Sequence, residues 1–205
     1  MYKSVYLKKG KEESLKRFHP WIFSGAIQTM DEGIEEGDIV RVFTRSGEFI
    51  AIGHYQIGSI AVRVLSFRDI EIDEEYWCAR LDSAYKMRLA LGIAGNSSNT
   101  TYRLVHGEGD NLPGLVIDCY GPTAVMQAHS VGMHVCRMEI AKALKKVMGE
   151  ALENIYYKVR DALSIFDQVV SFTNGNITYQ AVIDNLNVLD YEYYFRLTDA
   201  ILSGN

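Results

Sequence analysis

The segment HGEGDNLPG at 106–114 sets His106, Glu108 and Asp110 on alternate positions, residue types that can do general acid–base chemistry or hold a metal. Three such groups on one turn do not define a coordination sphere. A turn that needs its glycines and Asp110 for backbone reasons accounts for them more simply. Arg103, three residues earlier, is a candidate for lining a nucleic-acid-facing cleft. His129 and His134 lie five apart across Gly132 with no further ligand in reach of the pattern, so no metal is expected. Cys78, Cys119 and Cys136 form no CxxC or Cys/His spacing, and an odd, unpatterned set suits a reducing cytosol better than a disulfide framework.

A second kind of chemistry lies at the start of the chain. Residues 1–17 carry Lys3, Lys8, Lys9, Lys11, Lys16 and Arg17 against only Glu12 and Glu13. Such cations can hold phosphates, each neutralised phosphate adding salt dependence through counterion release. His19, Trp21 and Phe23 follow at once and can stack on unpaired bases. The competing expectation is that Trp21 and Phe23 fill a core while the lysines are merely solvated. Lys9, Lys16, Arg17, His19 and Trp21 are the candidates for RNA contact, together with Arg45 at a hairpin tip. Arg41 and Arg63 fall in neighbouring strands, and His54 in Gly-His-Tyr is expected to be a structural hydrogen-bonder.

The elements that must position these groups follow from pattern. SVYLKK is a strand, ESLKRFHPWIF a short helix or turn leading into Pro20, and GDIVRVFTRSGEFIAIGHY two strands around Arg45-Ser46-Gly47, where Gly47 supplies the positive φ a hairpin turn needs. SIAVRVLSF alternates Ile60, Val62 and Val64 with Ala61, Arg63 and Leu65. Short strands at this spacing predict a small barrel. The acidic run from Asp69 to Glu75 marks a boundary, with Asp73 as N-cap of a helix from Glu74 to about Leu91 whose apolar positions are Trp77, Leu81, Ala84, Tyr85, Leu89 and Ala90. YRLVHGEGDNLPGLVIDCYG reads as a hairpin and AVMQAHS as a third strand. HVCRMEIAKALKKVMG reads as an amphipathic helix with Val135, Met138, Ala141 and Leu144 on one side. Beyond 159, DALSIFDQVVSF, TYQAVIDNL and DYEYYFRLTDAIL read as helices, broken at Thr173-Asn174-Gly175-Asn176.

The net charge of the 205 residues is −5, which excludes a wholesale polyanion binder and confines any nucleic-acid surface to the basic opening. With 48% hydrophobic residues the chain can fill real cores. No signal-peptide core and no run of about 18 apolar residues is present, so a soluble, cytoplasmic protein without membrane contact is expected.

Three pieces carry a resemblance: LKKGKEESLKRFHPWIFSGAI at 7–27, EGDIVRVFTRSGEFIAIGHY at 36–55 and YRLVHGEGDNLPGLVIDCYG at 102–121. Together they resemble the class I methyltransferases that make 5-methylcytosine in large-subunit ribosomal RNA. The first looks like that family's opening, the second like its PUA domain, an RNA-binding pseudo-barrel, and the third like its middle domain. The resemblance implies ribosomal RNA as partner and S-adenosylmethionine as the full-length family's cofactor, held on a glycine-rich loop, with a late cysteine attacking C6 of cytosine. No GxGxxG follows here, since Leu112 stands where the third glycine after Gly107 and Gly109 would be, and the family's cysteine-rich catalytic motif is missing. Cys119 belongs to the middle-domain pattern and is no nucleophile. No cofactor, catalytic residue or metal is therefore expected in this chain.

The tail RDALSIFDQVVSFTNGNITYQAVIDNLNVLDYEYYFRL resembles instead the lid and collar stretch of the bacterial clamp-loader gamma/tau subunit, with Arg160 at the sensor-2 position. No P-loop accompanies it. Two unrelated pieces joined near 158–160 are expected, with Tyr191, Tyr193, Tyr194 and Phe195 on a helix able to self-associate. The expected fold class is α+β: a PUA-like β-barrel at 1–70, a small α/β middle domain at 74–157 and a helical C-terminal tail at 159–205. The function expected is the RNA-binding N-terminal portion of a ribosomal RNA (cytosine-5) methyltransferase without catalysis of its own. The alternatives are an assembly protein docking through the clamp-loader-like tail, or a chimera with no selected function.

Overall fold

A computed structural model describes residues 2–159 and three short segments, 171–174, 177–180 and 193–196. The first unit is a six-stranded curled sheet built from β1 (Lys3–Leu7), β2 (Trp21–Phe23), β3 (Ile27–Met30), β4 (Ile39–Phe43), β5 (Phe49–Tyr55) and β6 (Ile60–Ser66). Their spatial order is β2-β6-β5-β4-β1-β3, with β1 parallel to β4 and every other pair antiparallel. Register breaks at Val42/Phe43 and Ile52/Gly53 bend the strands and let the sheet curl. Gly47 turns the β4–β5 hairpin at φ 88°, as its position in the sequence requires.

The alternation expected for β6 is only half of its pattern. Val62 and Val64 face the barrel core with Val5, Leu7, Leu15, Ile22, Val40, Val42 and Ala51. Leu65 on the other face joins a second core, as does Ile52 of β5. Both strands are buried on both sides because the second unit packs on the outside of the barrel.

That second unit is a sheet covered by helices. Asp73 accepts from the Tyr76 amide at 3.0 Å and starts α1 (Glu74–Ala90) as expected. Tyr76, Trp77, Leu81 and Ala84 are its buried positions, whereas Leu89 and Ala90, expected in the stripe, are exposed. β7 (Thr101–His106), β8 (Leu115–Tyr120) and β9 (Thr123–Ala128) form the antiparallel meander the sequence suggests. The helix expected from His134 is two, α2 (Val131–Val135) and α3 (Arg137–Met148), stepped at Cys136. Val135 is 53% exposed, and the buried face of α3 is instead Ile140, Ala141, Ala143, Leu144 and Met148.

The largest departure lies at the end. β10 (Asn154–Val159) runs parallel to β9 and reaches into the expected 158–160 junction. β13 (Tyr193–Arg196) pairs antiparallel with it, Tyr157 opposite Phe195, and closes a five-stranded sheet ordered β13-β10-β9-β8-β7. β11 (Ser171–Asn174) and β12 (Ile177–Gln180) pair with Asn174 opposite Ile177. These three segments are strands where helices are expected. Their sequences explain it: SFTN and ITYQ flank Gly175-Asn176, a hairpin signal, and YYFR is rich in strand-favouring aromatics. Tyr193, Tyr194 and Phe195 therefore sit on a strand of the middle sheet rather than on a self-associating helix. Arg160, Tyr191 and the rest of the tail lie outside the described residues. No helix among the described residues is long and apolar enough to cross a membrane.

Candidate nucleic-acid interface

The basic opening forms the interior strand β1 and the link from it to the edge strand β2. After β1 the chain turns through Lys9, which is exposed, and Lys8 Nζ donates to Gly25 O at 2.9 Å. A single 3-10 turn at Leu15–Arg17 packs on β5 through the buried Leu15. Lys16 Nζ meets Glu13 Oε1 at 3.0 Å, and this contact, aided by the fields of Glu12 and Glu48, raises its pKa. Arg45 is exposed at the tip of the β4–β5 hairpin. Lys9, Arg17 and Arg45 enter no ion pair among the described residues. Lys8 and Lys11 of the same opening likewise pair with no carboxylate among the described residues, Lys8 donating instead to a backbone carbonyl.

The aromatics sit where the two units meet. His19 Nδ1 lies 3.2 Å from both the amide nitrogen and the carbonyl oxygen of Trp21, and the two rings stand edge to face at 5.9 Å. Trp21 is half-buried and pairs with Arg63 of β6, and its Nε1 donates to Glu108 Oε1 at 2.9 Å across the seam. Phe23 is 49% exposed, so it does not fill the barrel core. Of the expected stackers, then, His19 and Phe23 stay at the surface and Trp21 is partly committed to the seam. Arg63 donates to Gln56, and its partial burial lowers its pKa against a weaker opposing pull from Glu108. Arg41 pairs with Asp69 at 2.9 Å.

The group His106, Glu108 and Asp110 does not converge. Asp110 is buried against Arg88, accepting from its Nη1 and, at 2.8 Å, its Nη2, and Asp110 Oδ2 also accepts from the His106 amide at 2.6 Å. It closes the turn between β7 and β8. Arg103 is a bidentate partner of Asp118, at 2.8 and 3.0 Å. His134 Nδ1 meets the Tyr157 hydroxyl at 2.7 Å. Among the described residues no three His, Cys, Asp or Glu side chains gather as a metal site. Burial pushes the thiols of Cys119 and Cys136 up, to about 11 and about 12, away from thiolate chemistry.

The described residues include one parallel strand–helix crossover. It runs from β9 through α2 and α3 to β10. Where the strand gives way to the helix, Ser130 caps α2 and the His54 ring fills the space beside Gly132. His54 is a packing residue there, stacked on Trp77 at 6.4 Å with Nε2 3.6 Å from Cys136 Sγ.

Between the barrel and the turn after β7 opens a cleft of about 300 Å³. Phe18, Pro20, Val64, Leu65 and Phe67 form its barrel side, and Arg80, Glu108, Asn111 and Pro113 face them. Phe18 (φ 62°) and Asn111 (φ 57°) are the two non-glycine residues with positive φ among those described, and both line this cleft. Phe18 is 72% exposed, with its ring edge to face against Phe67 at 5.2 Å. Each is the left-handed C-cap of a 3-10 turn, Phe18 after Leu15–Arg17 and Asn111 after Gly107–Asp110, a conformation uncommon for a residue as bulky as phenylalanine. Sequence reasoning passes over both residues. An aromatic wedged between Lys16-Arg17 and His19-Pro20, and an Asn inside a Gly-Asp-Asn turn, are the available signals.

Comparison with known proteins supports this architecture. Residues 5–67 match the family model of a PUA-like domain. Ribosomal RNA large subunit methyltransferase I of Aliivibrio fischeri is 37% identical over 75% of this chain and 37% of its own length. The protein of the same name from Escherichia coli O1:K1 is 38% identical over 85% of this chain and 43% of its own. The chain thus spans well under half the length of these curated relatives. A chain from Streptococcus mutans described as a SAM-dependent methyltransferase superposes with a TM-score of 0.67 at 18% identity, over 90% of this chain and 49% of that one. At that identity the likeness speaks for the fold alone. The match to the Escherichia coli protein covers 85% of the chain, more than residues 1–157, so the sequence likeness runs on into the segment expected to have a different origin. The chain carries a PUA-like domain and is homologous, over about three-quarters of its length or more, to proteins named ribosomal RNA large subunit methyltransferase I.

Proposed function

We propose that this chain is the RNA-docking part of a ribosomal RNA methyltransferase. In this reading the barrel and middle unit hold the RNA while a methyl group passes from S-adenosylmethionine to C5 of a cytosine, with no described residue assigned a catalytic role. Lys9, Lys16, Arg17 and Arg45 contact phosphates, and His19 and Trp21 lie against bases. The observation that carries the proposal is the pairing of unspent cations, Arg17 foremost, with exposed aromatics on the same turn of a PUA-like barrel. Phosphate contacts position an RNA, and aromatic faces take its unstacked bases.

The test is a fluorescence-anisotropy titration of a labelled ribosomal RNA hairpin at two salt concentrations, with Arg17 and Arg45 replaced by Ala in parallel. Each lost phosphate contact should flatten the plot of log K against log salt by about 0.7–0.9. The double variant should therefore bind more weakly and with a shallower slope. No binding of the unaltered chain at low salt would end this reading.

A further inference from the structure

We propose that the cleft between Phe18 and Asn111 receives one unpaired nucleobase of the docked RNA. The inference rests on the RNA-docking reading and adds the subsite. Its walls are apolar and partly aromatic, with Phe18 and Phe67 edge to face at 5.2 Å, leaving the exposed Phe18 ring to cover a flat ligand. Three polar groups stand at its rim. The Arg80 guanidinium is held by a hydrogen bond to Leu65 O at 3.2 Å and sits over the Tyr76 ring at 5.3 Å. Glu108 is fixed by Trp21 Nε1 through Oε1, so its carboxylate can accept from an exocyclic amine. Asn111 supplies an amide. An apolar slot with a few oriented polar groups, at the small end of ligand pockets, suits a single planar heterocycle.

Charge selects the occupant. Arg17 precedes Phe18 in the chain and is exposed, and His19 and Trp21 follow, so a ligand entering past Phe18 meets cations and aromatics together. That is the environment of a base still attached to its phosphates, not of an apolar side chain of a protein. The left-handed backbone at Phe18 fits this role, because it turns the ring out over the cleft instead of into the barrel core.

The full chain is titrated with two labelled RNA hairpins, one bearing a single bulged cytidine and the other an abasic residue at the same place. The bulged base should improve affinity about tenfold, within the range of one base–aromatic stack. Phe18→Ala should abolish that preference and leave the affinity for the abasic hairpin unchanged. Phe18→Gly should do the same, and because glycine accepts the left-handed backbone, its loss of preference cannot be laid to misfolding. Equal binding of both hairpins by the unaltered chain, or a preference that survives Phe18→Ala, overturns the base subsite while RNA docking stands. Equal binding would also leave the cleft to a peptide side chain. If neither hairpin binds at low salt, the docking reading falls and the subsite with it.

Discussion

Trp21 Nε1 donates to Glu108 Oε1 at 2.9 Å, tying an edge strand of the barrel to the turn between β7 and β8. The bond spans 87 positions of sequence and fixes one wall of the cleft against the other. Trp21→Phe keeps an aromatic ring and removes the donor. It should cost about 1 kcal/mol of stability in urea unfolding, the net worth of one such hydrogen bond. Glu108→Gln keeps an acceptor and should cost less. An unchanged midpoint for Trp21→Phe would mean the seam does not depend on this contact.

The Arg88–Asp110 pair is the most deeply buried ion pair among the described residues, its side chains 11% and 3% exposed. Asp110 also takes the His106 amide, so removing its carboxylate strands a guanidinium and a backbone donor together. Asp110→Ala should destabilise the protein by about 3–5 kcal/mol, the usual result of leaving a buried charge without its partner. Chemical denaturation measures this. A loss under about 1 kcal/mol would make Asp110 a functional candidate again, since its structural duty would then be slight.

Much of this is legible in the sequence, and the misses share a cause. Asp73 as a cap, Gly47 in its hairpin and the β7–β8 turn are local patterns, and local patterns survive folding. The two-sided burial of β5 and β6 is not local: Ile52 and Leu65 point away from the barrel, and only the docking of the second unit makes them core. The exposure of Leu89 and Val135 has the same origin, because helical periodicity gives a stripe but not its extent. At the tail, an apolar and aromatic run reads as helix where Val159 and Tyr193 pair in a sheet. Short apolar runs do not separate helix from strand by periodicity alone. At the interface, charge picks out the cations but not Phe18 and Asn111, since backbone handedness at a non-glycine residue leaves no mark in composition.

His54 should make stability depend on pH. Burial holds its imidazole at about 4, and the Arg63 guanidinium pushes in the same direction. An unfolded chain takes up this proton near the ordinary value of about 6.5, and the folded chain only near 4. Between the two the unfolded state binds more protons, so stability falls as pH drops through that window and levels off below it, by something on the order of 3 kcal/mol. His134, lowered to about 4 by burial and then by Arg137, acts in the same sense, with a smaller share because it is partly exposed. Urea midpoints for the unaltered chain and His54→Gln, taken from pH 7 to pH 4, test this. The variant should show a shallower decline, and an identical decline would mean His54 is not buried neutral.

Gly132 offers the sharpest check on how the two units meet. A Cβ at this position would lie 2.1 Å from His54 Cγ and 2.5 Å from its Cβ. Gly132→Ala gains helix propensity worth about 1 kcal/mol, which alone predicts a more stable protein. The clash opposes it: His54 is boxed in by Trp77 and Cys136 and cannot swing aside, so overpacking of about 1–3 kcal/mol should prevail or cancel the gain. His54→Gly removes both the ring and the Cβ that obstruct this position, leaving a cavity on its own. Combined with Gly132→Ala it should recover part of that loss, so the double-mutant cycle should show a favourable coupling above about 0.5 kcal/mol. Thermal midpoints of the four proteins give the coupling directly. Additive effects, or a single Gly132→Ala variant more stable than the parent, would mean that the barrel and α2 are not pressed together at this point.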